Sequence, residues 1–341
     1  MEYKGSILYA NTIDFDFGLQ QRPMHVMRLL AERGWKVYFI NPHDKKNKHK
    51  KIRERIGNLE VYNSWEVFKK RVPNVDVYFS SWAKRHLELN EINTKMVVYD
   101  SVDNFKEWEK DEPIMMSKSD IVFATSMPLY KIRSKQHSNV TICRNGCFSD
   151  LGNKTYEIPE DLKLIKKTSQ KPILLFSGAV APWIDIHLME KLGMMYSVVI
   201  VGKPFGKNIP KNCIYLGLKK YDKLQAYYAH CDIGLLPFLK SDQAAYYSNP
   251  IKCYEHAAHG KQIVAYDIPE ANLYPDVVIT ARKEGDFIQK INFALKRKDD
   301  PGVISDCKKM ASENDWNQRV DVIENTIIKY LNKISCERNI L

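Results

Sequence analysis

Residues 249–260, Asn-Pro-Ile-Lys-Cys-Tyr-Glu-His-Ala-Ala-His-Gly, place a cation and a carboxylate three positions apart where a helix begins. At that spacing Lys252 and Glu255 share one helix face. A helix start offers backbone N–H groups and a partial positive charge. Lys252 adds a full charge, and together they suit a diphosphate. Glu255 accepts hydrogen bonds without donating and suits a pair of sugar hydroxyls. Asn249 and Pro250 lead into the helix. A phosphate site beside a hydroxyl clamp describes a nucleotide-sugar pocket; the plain alternative is a surface ion pair of little energetic weight.

Other chemistry-bearing residues follow apolar runs. The loop after the first run holds Asp14, Asp16 and Gly18 and ends at Arg22; Gly18 and Arg22 are candidate cleft residues, and Asp14 and Asp16 lower-ranked acid/base candidates. Asp100 and Asp103 lie just past another apolar run, where a carboxylate could take a proton from an attacking hydroxyl. The alternative is that one of them caps the next helix. Arg144-Asn-Gly reads as a tight turn. Gly178, in Ser-Gly-Ala-Val-Ala-Pro-Trp-Ile-Asp, would let backbone approach a phosphate, with Trp183 or Asp185 nearby. Gly202 and Lys203 end the next apolar run. Tyr246 and Tyr247 offer rings to stack on a base or shield a sugar. His256 and His259 read as packing or solvent residues, and no metal partner is in view.

Positioning these groups requires parallel sheets. Strand-like runs cover 6–10, 36–40, 60–62, 75–80, 96–99, 121–125 and 140–143, and after a polar stretch at 150–170, read as a linker, 172–177, 198–201, 213–216, 233–237, 262–266 and 277–280. Helical patterns fall at 23–33, 185–192, 221–230, 251–259 and 284–296. An amphipathic stretch at 317–334 puts Val320, Ile323, Ile327 and Leu331 near one face. Alternating strands and helices predict an α/β chain with two Rossmann-like, doubly wound domains facing across a cleft, and ligands beyond the carboxyl ends of the strands. Neither series opens with the three-glycine dinucleotide fingerprint, which argues against an oxidoreductase.

Length and composition agree. With 341 residues, 44% hydrophobic and 27% charged, the chain is sized for two globular domains. Seven cysteines without metal-type spacing, and a strand near the start in place of a leader, read as a reducing cytoplasmic setting. No run reaches the length of a membrane span. The net charge of +11 favours acidic partners, and Lys45, Lys46, Lys48, Lys50, Lys51, Arg53 and Arg55 concentrate it. An anionic membrane surface fits this run better than nucleic acid, because no aromatics interleave it, and a solvated loop is the plain alternative.

In order, Gln20-Gln-Arg-Pro, Tyr99-Asp-Ser-Val-Asp, Arg144-Asn-Gly, the Gly178 segment, Asn249-Pro-Ile-Lys-Cys-Tyr-Glu-His-Ala-Ala-His-Gly-Lys and Asp315-Trp-Asn-Gln-Arg-Val resemble the GT-B glycosyltransferases. Within them the chain resembles the family 4-like (group 1) enzymes of bacterial surface-polysaccharide assembly, such as teichuronic acid and capsule transferases. The resemblance implies an acceptor-binding domain at 1–155, joined by a terminal helix at 315–341, and a nucleotide-sugar domain at 156–314. It implies a nucleoside-diphosphate sugar as donor substrate, with uridine the expected base, and a glycan or lipid-linked acceptor. Lys252 would contact the diphosphate and Glu255 the ribose or sugar. The chain departs from the family where many members carry a first glutamate, since Tyr247 stands there, and no Arg-Lys pair follows Gly178.

Charge builds on the departing diphosphate as the anomeric bond breaks. Lys252, the helix start and backbone near Gly178 would carry that load without metal or other cofactor, and no Asp-x-Asp motif sits in a suitable loop. With inversion Asp103 or Asp100 would be the base; with retention both would orient the acceptor. The alternatives are a non-catalytic nucleotide- or polyanion-binding protein and a GT-B-type nucleotide-sugar epimerase.

Overall fold

A computed structural model describes residues 3–10, 13–15, 18–41 and 54–338. The chain divides into two compact units, Met1–Arg144 with Trp316–Leu341, and Asn145–Asp315. The division falls earlier than the expected 155/156 boundary.

In unit 1 the described strands are β1 (Gly5–Ala10), β2 (Trp35–Ile40), β3 (Glu54–Ile56), β4 (Leu59–Tyr62), β5 (Asn74–Ser80), β6 (Asn93–Ser101), β7 (Ile121–Ala124) and β8 (Val140–Ile142). They form one sheet in the order β3-β4-β2-β1-β5-β6-β7-β8. All pairings are parallel except β3 with β4. Every residue of β1 is buried, as expected of a central parallel strand covered on both faces. Helices α1 (Arg22–Glu32), α2 (Trp65–Arg71), α3 (Glu112–Lys118) and α4 (Met127–Arg133) connect them. Pro23 stands in the first turn of α1, where its missing N–H costs nothing.

Unit 2 has β9 (Ile173–Val180), β10 (Ser197–Pro204), β11 (Ile214–Tyr215), β12 (Ile233–Leu236), β13 (Ile263–Tyr266) and β14 (Val278–Ala281) in the order β11-β10-β9-β12-β13-β14. All its pairings are parallel. Its helices are α5 (Glu160–Thr168), α6 (Ile186–Met195), α7 (Tyr221–His230), α8 (Gln243–Tyr247), α9 (Ile251–Ala258), α10 (Glu284–Arg297) and α11 (Pro301–Ser312). The expected linker at 150–170 is corrected here. Most of its second half is α5, whose Leu162 and Ile165 are buried with Leu175, Val199 and Tyr228. A helix showing only two apolar residues to the core has the composition of a linker.

The last helix, α12 (Trp316–Arg338), belongs to unit 1. Val320, Ile323 and Ile327 are fully buried. Glu324 is the polar lock of this face: it accepts from Lys4 at 2.7 Å, Trp35 at 2.8 Å and Arg33 at 3.1 Å. Burial opposes its charge, but these donors hold the carboxyl below its ordinary range.

Candidate functional site

The carboxyl ends of β9 and β10 meet at two glycines. Gly202 is in register with Gly178, and Lys203 with Ala179. Gly178 has φ +149°, a conformation other residues rarely adopt. A Cβ on Gly202 would sit 1.7 Å from the Gly178 carbonyl oxygen, so only glycine lets the strands approach this closely. The amide of Phe205 then donates to Val180 O at 2.8 Å, tying the following loops together. Lys203 is half-buried, and desolvation pushes its ammonium down. An anion beside it would relieve that cost.

Lys252 and Glu255 stand on α9, whose amino end begins after Pro250 with no side-chain cap. The two groups touch: Lys252 Nζ donates to Glu255 Oε2 at 2.8 Å, with the lysine side chain 18% exposed and the glutamate 2%. The sequence alternative of a surface pair is thereby corrected, since the carboxylate is buried. Tyr228 OH donates to the same oxygen at 2.7 Å, and Ser177 Oγ lies 2.8 Å from that hydroxyl. Among the described residues the buried Glu255 Oε1 accepts no hydrogen bond of good geometry, and the Tyr221 phenol also acts on this carboxylate. Neither Ser177, quoted only as part of the Gly178 segment, nor Tyr228 had a role in the sequence reading. A tyrosine inside a helical pattern reads as core, and nothing in spacing reports that its hydroxyl is bonded.

Other expected donor residues are placed differently. Asn249 is buried, and its side chain is consumed locally. Its amide donates to Tyr254 OH at 2.9 Å and Glu270 Oε2 at 2.7 Å, while its Oδ1 accepts from Asn145 N at 2.8 Å. It pins the start of α9 and does not offer a hand to a ligand. Tyr247 ends the short α8, half-buried, its ring edge-on to Tyr246 at 5.1 Å. Asp185 caps α6 through Leu188 N at 2.9 Å and accepts from Tyr266 OH at 2.8 Å. Trp183 packs against the core of the unit. His256 is a core residue: desolvation pushes it down to about 3, and its ring lies across Tyr228 at 4.7 Å. His259, pushed down to about 4 by burial, bonds Gln225 Oε1 at 2.9 Å.

In unit 1, Arg22 and Asp100 are brought together. Arg22 Nε meets Asp100 Oδ2 at 2.8 Å and Nη2 meets Oδ1 at 3.0 Å, while Nη1 donates to Arg144 O at 3.0 Å. Both residues are buried, at 2% and 1% exposure. Asp100, expected as a base, and Arg22, expected as an acceptor contact, instead face each other in a forked, two-bond pair. Asp103, past the end of β6, caps no helix. The helical turn that follows, Lys106–Trp108, has Phe105 at its cap. Burial and the charge of Glu112 push Asp103 up to about 6. Glu112 itself accepts from Tyr99 OH at 2.5 Å and Arg133 Nη2 at 2.7 Å, a cluster the sequence did not disclose. Gly18 has φ +91°. Asp16 lies outside the described residues, as does the basic run apart from Arg55, which sits in β3 and pairs with Glu60 at 3.4 Å.

Among the described residues no cluster of three or more His, Cys, Asp or Glu could hold a metal ion, and no helix is long and apolar enough to cross a membrane.

No protein-family model matches the chain. No curated protein matches it either. Solved structures do. Sucrose-phosphate synthase of Thermosynechococcus elongatus aligns at TM-score 0.72 and 11% identity, over 96% of this chain and 99% of that one. HepE of Anabaena, in complex with UDP and glucose, aligns at 0.69 and 13% over 95% and 99%. The catalytic domain of starch synthase IV of Arabidopsis thaliana, bound to ADP and acarbose, aligns at 0.69 and 10% over 96% and 99%. Identities this low speak to architecture: the chain has the α/β GT-B fold of two Rossmann-like domains, as its motif order implied.

Proposed function

We propose that the chain is a glycosyltransferase that moves a sugar from a nucleoside-diphosphate sugar, with uridine the favoured base, to a glycan or lipid-linked acceptor in cell-surface polysaccharide synthesis, as a family 4-like enzyme. The observation that carries this reading is the buried carboxylate of Glu255, one oxygen of which accepts no hydrogen bond of good geometry among the described residues, beside Lys252 on the same helix face. An orphaned buried acceptor is costly in a folded chain, and a ligand hydroxyl would discharge that cost. The likeness to HepE, which holds UDP and glucose, and to a starch synthase, which holds ADP, supports the donor class.

In this mechanism Lys252 and the amino end of α9 receive the charge that builds on the leaving diphosphate, and Lys203 at the end of β10 is a second donor-binding cation. Gly178 and Gly202 let backbone approach the phosphates. Glu255 takes the ribose diol. Transfer proceeds without metal, because fixed cations meet the developing charge. Asp103 handles the acceptor hydroxyl, as base if the product is inverted and as an orienting acceptor if it is retained. The basic run at 45–55 holds the enzyme at an anionic inner membrane face.

Thermal shifts with UDP, GDP and ADP test the donor site, since a ligand that binds only the folded state raises the melting temperature. UDP is expected to stabilise the protein, and Lys252→Ala to weaken that binding by about tenfold or more. Donor turnover with UDP-sugars is then followed by UDP release. Stabilisation without turnover supports the binding-protein alternative. The absence of any shift at millimolar nucleotide overturns the reading.

A further inference from the structure

Tyr228 is fully buried, with its hydroxyl between Ser177 Oγ at 2.8 Å and Glu255 Oε2 at 2.7 Å. A carboxylate oxygen accepts, so the single phenolic proton goes to Glu255, and Ser177 must donate to the phenol oxygen in turn. Burial, reinforced by the charge of Glu255, holds the phenol well above its ordinary value and so keeps that proton in place. The ring is fixed as well, edge-on to His256 at 4.7 Å and stacked on His259 at 5.8 Å. Lys252 donates to the same carboxylate oxygen at 2.8 Å. Two donors on Oε2 leave Oε1 as the buried oxygen that accepts no hydrogen bond of good geometry among the described residues, although the Tyr221 phenol also acts on this carboxylate. Each of these bonds depends on the others, because a carboxylate held by one donor alone could turn and exchange its oxygens.

We propose that Tyr228, held by Ser177, is a positioning residue that locks the carboxylate of Glu255 so that Oε1 is reserved for the ribose diol, which makes the preference for ribo- over dideoxyribonucleotides depend on this tyrosine. The inference rests on the reading of Glu255 as the ribose acceptor given above. It predicts a selective effect. Loss of the phenol hydroxyl removes the alignment and leaves the diphosphate contacts of Lys252 and the glycine pair in place.

The test is calorimetric titration of the full chain with UDP and with 2′,3′-dideoxy-UDP. Wild type is expected to favour UDP, and Tyr228→Phe to cut the ratio of the two affinities by about tenfold, the size of one hydrogen bond to a charged group. Binding of dideoxy-UDP should stay near wild type. Ser177→Ala, a milder change, should lower the same ratio by a smaller factor and keeps the proposal testable if the phenylalanine variant does not fold. Variants that weaken both ligands equally, or leave the ratio untouched, overturn the positioning role. Wild type that binds both ligands alike removes ribose from Glu255 and the proposal with it, while the diphosphate site stands. Wild type that binds neither overturns the donor site as a whole.

Discussion

Three carboxylates crowd the end of β6 in unit 1 under different constraints. Asp100 is answered by Arg22, and Glu112 by Arg133 and Tyr99. Among the described residues no cation pairs with Asp103: burial and the charge of Glu112 act in one direction and push it up to about 6. A carboxyl whose folded pKa exceeds its unfolded value adds stability below that unfolded value, near 4, and loses it as pH rises through about 6. At neutral pH ionised Asp103 is therefore a cost. Asp103→Asn, which mimics the protonated form, should raise unfolding free energy at pH 7.5 by about 1–2 kcal/mol, less than the full shift implies because the residue is half-buried. The gain should fade toward pH 4, and transfer should drop if Asp103 handles the acceptor. Thermal melts from pH 4 to 8 check this; a gain that ignores pH contradicts it. The sequence placed both aspartates just past a strand, which holds for Asp103, whereas Asp100 lies inside β6. It could not tell them apart, because the arginine that occupies Asp100 lies 78 residues away and no local pattern links the two.

Strand geometry makes its own demand at the proposed donor site. Since a methyl on Gly202 would meet the Gly178 carbonyl at 1.7 Å, β10 would have to part from β9 at the point where Lys203 and Ser177 are held. Gly202→Ala should destabilise the protein by about 2–4 kcal/mol and abolish UDP binding. Gly285→Ala, in α10 with nothing within 4 Å of the added carbon, is the matched control and should be neutral or slightly stabilising. Urea denaturation and UDP titration of both variants read the difference, and equal behaviour would sink the close-approach argument. At this scale the chain was largely legible, because parallel strands are continuous apolar runs and their connecting helices carry apolar stripes. Several elements were not: β3 begins inside a charged run, α5 shows only Leu162 and Ile165 to the core, and helices α2, α3, α4, α8 and α11 were not singled out. Helix α7 was read, but the hydroxyl of Tyr228 gives no periodic signal.

Charge is a property of the whole chain. An excess of 52 Lys and Arg over 41 Asp and Glu gives +11, and seven of the cations fall between Lys45 and Arg55. Arg55 of β3 pairs with Glu60 of β4, so the proposed attraction to an anionic surface has to come from the rest of the run and from the net field. Each lysine or arginine near an anionic leaflet contributes about 1 kcal/mol, and the field decays over about 8 Å at physiological salt. Attachment of this kind is additive, reversible and ionic. The protein should sediment with vesicles containing anionic lipid and not with neutral ones, and 0.5 M salt should release it. Replacing Lys45, Lys46, Lys48, Lys50 and Lys51 with glutamine should abolish sedimentation yet leave UDP affinity intact, since Lys252, Glu255 and the glycine pair all belong to unit 2. Sedimentation indifferent to lipid charge would remove the membrane from the proposed function without touching the donor site, because a nucleotide pocket and a surface field draw on different cations.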